Sequence, residues 1–367
     1  MSIQSKSLKF VTLVAISSVA LAGCAGGGSQ GAADGQETNG TSAGDDGEQF
    51  SIGFALKVQD APYFVSLAEA VEEYGAEHGW DVTVLDANGD VQAEAANMET
   101  FIAQGKDLIF VDAIEPDAIV PSINAAADAG IPVINLDSGV SEDANDVTTV
   151  YSDNRENGRL VGVAYAEHVG DEEIIAVILS GSQGNVAGLE RRTGLFAGII
   201  QGKLGIENDE AWSLAEEFEQ QLTSTGSATN EEAKFSVRGQ GWGSWNEAEG
   251  LSAAEDLITA NQDITAILGE NDDMLFGGIT ALENSGLTDV DIVAAADGAH
   301  RAMDLIREGK YFATGLNSPS LVARTGVDIA YEILVEGADP SSYDRITLTE
   351  PAAITADNVD EFYDFGF

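Results

Sequence analysis

Six polar residues stand at the ends of short apolar runs: Asp112, Asp137, Asn271, Asp272, Asp297 and Asn317. Carboxylates accept hydrogen bonds, and side-chain amides both donate and accept, so such a set suits a ligand rich in adjacent hydroxyl groups. Arg192 and the aromatic residues Tyr63, Phe64, Trp242 and Trp245 fall in the adjoining loops or helix starts. Aromatic faces suit the C–H faces of a sugar ring. Any one strand-end Asp or Asn could equally be a turn former or a helix cap. The repetition of the pattern is what marks a site.

The elements that must position these residues can be read around them. Gly105–Asp137 reads as strand, helix, strand: an apolar run ends on Asp112, helical spacing covers Ala118–Ala129, Gly130 and Pro132 follow, and Val133–Leu136 ends on Asp137. A crossover of this length joins parallel strands and brings both aspartates to the carboxyl edge of one sheet, where open α/β sheets bind ligands. The same arrangement recurs from Ile264 to Gly298. Asp112 and Asp137 are 25 residues apart, as are Asp272 and Asp297. Two similar lobes facing one cleft are expected, each a doubly wound parallel sheet. Further strands are expected at Ser51–Val58, Asp81–Leu85, Thr148–Tyr151, Ile174–Leu179 and Tyr311–Leu316, alternating with helices. Residues 205–241 read as an irregular acidic insertion.

Composition narrows the function. The 367 residues hold 63 acids against 16 bases, a net charge of −47. Such a field disfavours nucleic acid and anionic lipid surfaces as partners. It also fits a high-salt environment, where screening suppresses self-repulsion. Met1–Gly23 has the form of an export signal: Lys6 and Lys9, then an apolar core over Phe10–Ala22 too short to span a membrane. It ends Leu21-Ala22-Gly23-Cys24, which resembles a bacterial lipobox, and Cys24 is the one cysteine in the chain. Lipidation of Cys24 is expected, with two acyl chains holding the protein to a membrane outside the cytoplasm. The Gly-, Ser- and acid-rich segment behind it (24–49) is expected to be a flexible tether.

Enzyme chemistry finds no footing. His78, His168 and His300 have no nucleophile in a recognised arrangement, and there is no P-loop or opening GxGxxG. Asp86-x-Asn88-x-Asp90 resembles the start of a calcium loop, but Val91 and Asn97 stand where its sixth-position glycine and twelfth-position glutamate belong. A solvated loop is expected, with no metal and no cofactor.

Residues 50–350 resemble the ribose-binding branch of the type I periplasmic binding proteins, the solute receptors of sugar ABC importers. The resemblance rests on Ala61-Pro62-Tyr63-Phe64, Ile131-Pro132-Val133-Ile134-Asn135-Leu136-Asp137, Ser152-Asp153-Asn154, Arg192-Thr193-Gly194-Leu195-Phe196, Gly269-Glu270-Asn271-Asp272 and Asp297-Gly298. It implies lobes of 50–152 plus 318–347 and of 153–317 plus 348–367, joined by a three-strand hinge near Ser152, Ser318 and Thr347. It implies ligand contacts from Tyr63, Phe64, Asp112, Asp137, Arg192, Trp245, Asn271, Asp297 and Asn317. Ala61 departs from the family pattern, where an asparagine is usual, and so does Ser138, where an arginine follows the aspartate; Trp245 replaces a smaller aromatic. The expected protein is a monomeric, lipid-anchored receptor that binds a sugar or polyol and docks on an ABC permease. A sensory receptor of the same fold is the alternative. A related DNA-binding repressor is excluded by the export signal and the missing helix-turn-helix. Asp137, acceptor-only, and Arg192, donor-only, are expected to be the two anchors of the ligand, one from each lobe.

Overall fold

The computed structural model of the protein describes residues 49–367. The export segment, Cys24 and almost all of the expected tether lie outside the described residues. Strands and helices alternate from the start: β1 (Ser51–Leu56), α1 (Pro62–Glu77), β2 (Asp81–Asp86), α2 (Val91–Gln104), β3 (Leu108–Val111), α3 (Val120–Asp128), β4 (Val133–Leu136) and β5 (Thr148–Ser152). The second series is α4 (Asn154–Val169), β6 (Ile174–Ser180), α5 (Val186–Leu204), α6 (Asn208–Thr225), β7 (Ala228–Asn230), β8 (Phe235–Trp242), α7 (Glu247–Ala260), β9 (Ala266–Gly269), α8 (Asp272–Ser285), β10 (Asp291–Ala294), α9 (His300–Arg307) and β11 (Ala313–Gly315). The chain closes with α10 (Pro319–Leu334), β12 (Ile346–Thr349), β13 (Ala353–Thr355) and α11 (Val359–Phe362).

Two sheets result, ordered β12-β5-β4-β3-β1-β2 and β13-β11-β10-β9-β6-β8-β7. All pairs in the first are parallel. In the second only the outermost strands, β13 and β7, run antiparallel. Parallel strands covered on both faces read as continuous apolar runs, and β3 and β4 are buried along their whole length. Each sheet carries one apolar core on either face. In the first lobe one is built around Phe54, Phe110 and Leu136 and the other around Met98, Phe101 and Ile123. In the second they centre on Phe196, Phe218 and Phe235 and on Leu179, Leu275 and Met303.

Strand order reverses beside β1 in the first sheet and beside β6 in the second, because each has its later partners on both sides. Such switch points open a crevice at the carboxyl ends of the strands. The chain passes between the sheets three times: after Ser152 at the end of β5, back between Leu316 and Pro319, and again between Thr349 and Ala353. Asn157 on α4 ties the last two crossings together. Its side-chain amide donates to the Leu316 carbonyl at 2.6 Å, and its oxygen accepts from the Ala352 N–H at 3.0 Å.

The segment 205–241 is ordered secondary structure, a correction to the irregular insertion expected. Helix α6 turns Ala211, Ala215, Phe218 and Leu222 inward, a 3.6-residue rhythm hidden by the acids on its outer face. Phe218 stacks on Phe235 of β8 with centroids 4.7 Å apart and planes at 7°. The calcium-like loop is a turn and a cap: Asp86 accepts from the Asn88 N–H, and Asp90 caps α2 by accepting from Gln92 and Ala93.

Helices α4 and α5 meet backbone to backbone. Gly158 and Gly162 on one and Gly194 and Gly198 on the other leave no room for a Cβ, which at each would run into main-chain atoms of the facing helix. This contact fixes where the start of α5, with its two arginines, stands relative to α4.

Candidate ligand-binding cleft

The first-lobe half of the cleft is assembled from the ends of β1, β3 and β4. Asp112 follows β3 and is wholly buried; Asp137 follows β4 with φ of 63°, a left-handed backbone that a non-glycine residue rarely adopts. Between them lies Lys57, one residue beyond β1. Its Nζ is 3.2 Å from Asp112 Oδ1, 3.3 Å from Asp137 Oδ2 and 2.5 Å from Ser138 Oγ, and it sits 4.2 Å from the centre of the Phe64 ring. Lys57 was not among the residues expected from the sequence. A single lysine at a strand end carries no signal of its own until the fold sets two carboxylates beside it. Burial raises the Asp112 carboxyl above the usual range; Lys57 opposes the shift and Asp137 adds to it. Tyr63, at the start of α1, is half-buried, and its hydroxyl is shielded from solvent with no aligned hydrogen-bond partner. Burial pushes its ionisation well above the ordinary value, Asp137 and Asp112 push the same way, and Arg191 of the other lobe opposes them.

The second-lobe half comes from the ends of β6, β8, β9 and β10 and the start of α5. Arg191 donates through Nε to Asn154 Oδ1 at 2.8 Å and through Nη1 to Asp297 Oδ1 at 3.0 Å, and it lies 5.7 Å from the Trp245 ring. Burial raises Asp297 above the usual carboxylate range, against the pull of Arg191. Trp245 has φ of 62° and the preceding Ser244 has 48°. The strained turn lays the indole against Gly181, where any Cβ would overlap the ring. Asp137, Trp245 and Asp297 all have positive φ. Backbone strain of this kind persists only where the surroundings enforce it, and it concentrates at functional sites.

Several expected site residues take other places. Arg192 is turned away from the cleft, which corrects its assignment as an anchor. Its Nη2 and Nε bond Glu219 of α6 at 2.7 and 2.9 Å, and its Nη1 bonds Glu270 at 2.9 Å. Glu270 in turn accepts from the Gly181 N–H at 2.8 Å. Successive residues on a helix point about 100° apart, and the two arginines accordingly take different partners. Asn271 caps α8 through its oxygen and donates to the Trp245 carbonyl at 3.3 Å, holding the strained turn. Asp272 is a buried clamp, accepting from Tyr311 Oη at 2.7 Å and from the N–H groups of Gly298 and Ala299 at 3.1 and 2.9 Å. Asn317 is buried beside Asp297, its N–H donating to the Asp297 carbonyl at 3.1 Å. Trp242 ends β8 with its side chain largely exposed.

The halves face each other. The Tyr63 ring meets the Phe367 ring edge-on at 5.5 Å. Phe367 belongs to the second-lobe core and accepts from the His300 N–H at 3.0 Å through its carbonyl. Tyr151 of β5 also reaches Glu190 of α5, at 3.3 Å. Two walls, each bearing carboxylates, a cation and aromatic rings, and three chain crossings between them define a bilobal α/β fold.

The chain belongs to the family of the periplasmic binding protein domain, whose model matches residues 52–338. The ribose import binding protein of Bacillus subtilis is 27% identical over 287 residues, covering 78% of this chain and 82% of that protein. The xylitol-binding protein of Mycolicibacterium smegmatis is 24% identical over 311 residues, covering 83% and 77%. Among solved structures, an ABC transporter periplasmic solute binding protein of Actinobacillus succinogenes with bound D-allose has a TM-score of 0.68 at 23% identity, covering 85% of this chain and 100% of that one. The Caulobacter myo-inositol binding protein has a TM-score of 0.66 at 21% identity, covering 85% and 94%. These bear out the family and the fold expected from the sequence.

Proposed function

We propose that this protein is the extracytoplasmic solute-binding component of an ABC importer and closes on a sugar or polyol between its lobes. The observation that carries the reading is that the half-site of Asp112, Lys57 and Asp137 and the half-site of Arg191, Asp297 and Trp245 face each other at Tyr63, which meets the Phe367 ring and feels the Arg191 charge. Relatives named for ribose import and for xylitol supply the ligand class. The contacts proposed are Tyr63, Phe64, Asp112, Asp137, Trp245, Asp297 and Asn317, with Arg191 in the role first given to Arg192. Asn271 supports Trp245 from behind. The lobes proposed are 50–152 plus 318–347 and 153–317 plus 348–367. A ligand bridging them stabilises the closed arrangement by its differential affinity for it. Ala61 and Ser138 offer fewer polar atoms than the family pattern, which favours a ligand other than ribose.

A thermal-shift screen of pentoses, hexoses, acyclic polyols and inositols, followed by calorimetry on any stabilising compound, tests the reading. At least one neutral polyol should stabilise the protein and bind stoichiometrically. Failure of the whole panel would overturn the ligand class.

Lipidation at Cys24 completes the proposal and ties the receptor to the membrane beside its permease. The Leu21-Ala22-Gly23-Cys24 junction supports it. Cys24→Ala should abolish lipid labelling and release or strand the protein; unchanged labelling and retention would remove the anchor.

A further inference from the structure

Lys57 is the point on which the first-lobe half converges. Its ammonium group has three protons and no acceptor capacity. Three oxygens surround it: Asp112 Oδ1 at 3.2 Å, Asp137 Oδ2 at 3.3 Å and Ser138 Oγ at 2.5 Å. A ring, Phe64, covers the remaining side at 4.2 Å. The ammonium donates to Asp137 and Ser138 and is ion-paired with Asp112, so one positive charge is matched by two carboxylates. The carboxylates, by contrast, keep open lone pairs. Asp112 is wholly buried, and neither of its oxygens has an aligned hydrogen bond beyond the ion pair with Lys57. Asp137 meets Lys57 and Ser138 through Oδ2, and the Tyr63 hydroxyl lies beside the same carboxylate. Without the lysine, two carboxylates would share one partly dry corner and repel.

We propose, resting on the polyol reading above, that Lys57 is the positioning residue of this half-site. It offsets and orients Asp112 and Asp137 as a paired acceptor that recognises two neighbouring hydroxyl groups, and two carboxylates around one ammonium leave a surplus negative charge that rejects an anionic sugar. Both carboxylates contact the same nitrogen, so their oxygens lie within reach of adjacent hydroxyls on one ring or chain. Ser138 lies close enough to Lys57 that a long cationic side chain at 138 could deliver the same charge from the loop after β4.

The test follows the carboxyl group as well as the ligand. The charged and titratable groups facing this corner are Lys57, Asp112, Asp137 and Tyr63, with Glu94 near Lys57 and Arg191 of the second lobe acting on Tyr63. Lys57 is what opposes the upward shift of Asp112, so its removal lets the carboxyl hold its proton to higher pH. In full-length protein labelled at aspartate carboxyl carbons, NMR should show the Asp112 titration of Lys57→Met moved upward by about one pH unit or more. Lys57→Arg should leave it near the parent's. The double variant Lys57→Met/Ser138→Arg should move it back toward the parent.

Calorimetry with D-ribose, D-allose, xylitol and myo-inositol, and with D-glucuronate as the anionic probe, gives the second readout. Any neutral compound that binds the parent should bind Lys57→Met about tenfold or more weakly and recover in the double variant. D-Glucuronate should bind the parent far more weakly than that neutral compound. An unchanged Asp112 titration in Lys57→Met, or comparable binding of D-glucuronate to the parent, would overturn the proposal. Should Lys57→Met fail to fold, Lys57→Arg and the double variant carry the comparison, and loss of the parent-like titration in both would refute it. If none of the neutral compounds binds the parent, the polyol reading fails, while the titration still decides the role of Lys57.

Discussion

Arg191 and Arg192 are neighbours in the chain and have opposite duties. Arg191 faces Asp297 and Trp245; Arg192 joins α5 to Glu219 of α6 and Glu270 beyond β9. Removing one member of a buried charged network leaves the others uncompensated, at a cost of about 3–5 kcal/mol. Arg192→Ala should therefore lose about that much stability in denaturant unfolding. Arg191→Ala should weaken calorimetric binding of the tightest polyol from the screen by at least about tenfold, as should Asp137→Ala. Equal affinity losses from both arginine variants, with equal stabilities, would erase the distinction. This distinction was not legible in the sequence. The Arg-Arg pair shows that a cation opens the helix, but which of the two reaches the cleft depends on helix phase and on Glu219, contributed by an element that was not seen. The placement of Asp112, Asp137 and Asp297 at strand ends was legible because strand ends in a parallel sheet share one edge whatever else the chain does.

At the scale of elements, the position of α5 is set by glycine. Gly158 and Gly162 on α4 meet Gly194 and Gly198 on α5 at main-chain contact. A larger side chain there must push the helices apart, and overpacking of a tight interface typically costs about 1–3 kcal/mol. Gly194→Leu should reach or exceed that range by denaturant unfolding. It should also weaken ligand binding, because the start of α5 moves with the helix. A stable variant of parental affinity would show that the contact is not what places Arg191. The βαβ alternation was readable because buried parallel strands leave continuous apolar runs punctuated by Gly and Pro. Helix α6 was not, because its acidic face masks four inward residues at helical spacing. Strand β8 was not, because Gly239 and Gly241 interrupt its apolar pattern.

At the scale of the molecule, 63 acids face 16 bases. Several surface bases are already paired, such as Arg301 with Glu247 and Arg307 with Asp360. The remaining like charges repel over a distance set by ionic strength, about 10 Å at 0.1 M and about 3 Å at 1 M salt. The thermal midpoint should therefore rise between about 0.1 M and about 2 M potassium chloride. A midpoint independent of salt would show that the acidity serves solubility alone.

The strained turn that presses Trp245 against Gly181 has a spectroscopic consequence. The chain has four tryptophans. Trp80 is buried in the first lobe, Trp212 lies under the Arg155 guanidinium at 4.1 Å, Trp242 stands exposed at the end of β8, and Trp245, the proposed ligand contact, lies beside Arg191. Indole emission follows local polarity and nearby charge, so a ligand settling against Trp245 changes the light that residue gives off. Occupancy should then be readable without any added label, and Trp245→Phe should remove most of the signal while the other three tryptophans continue to emit.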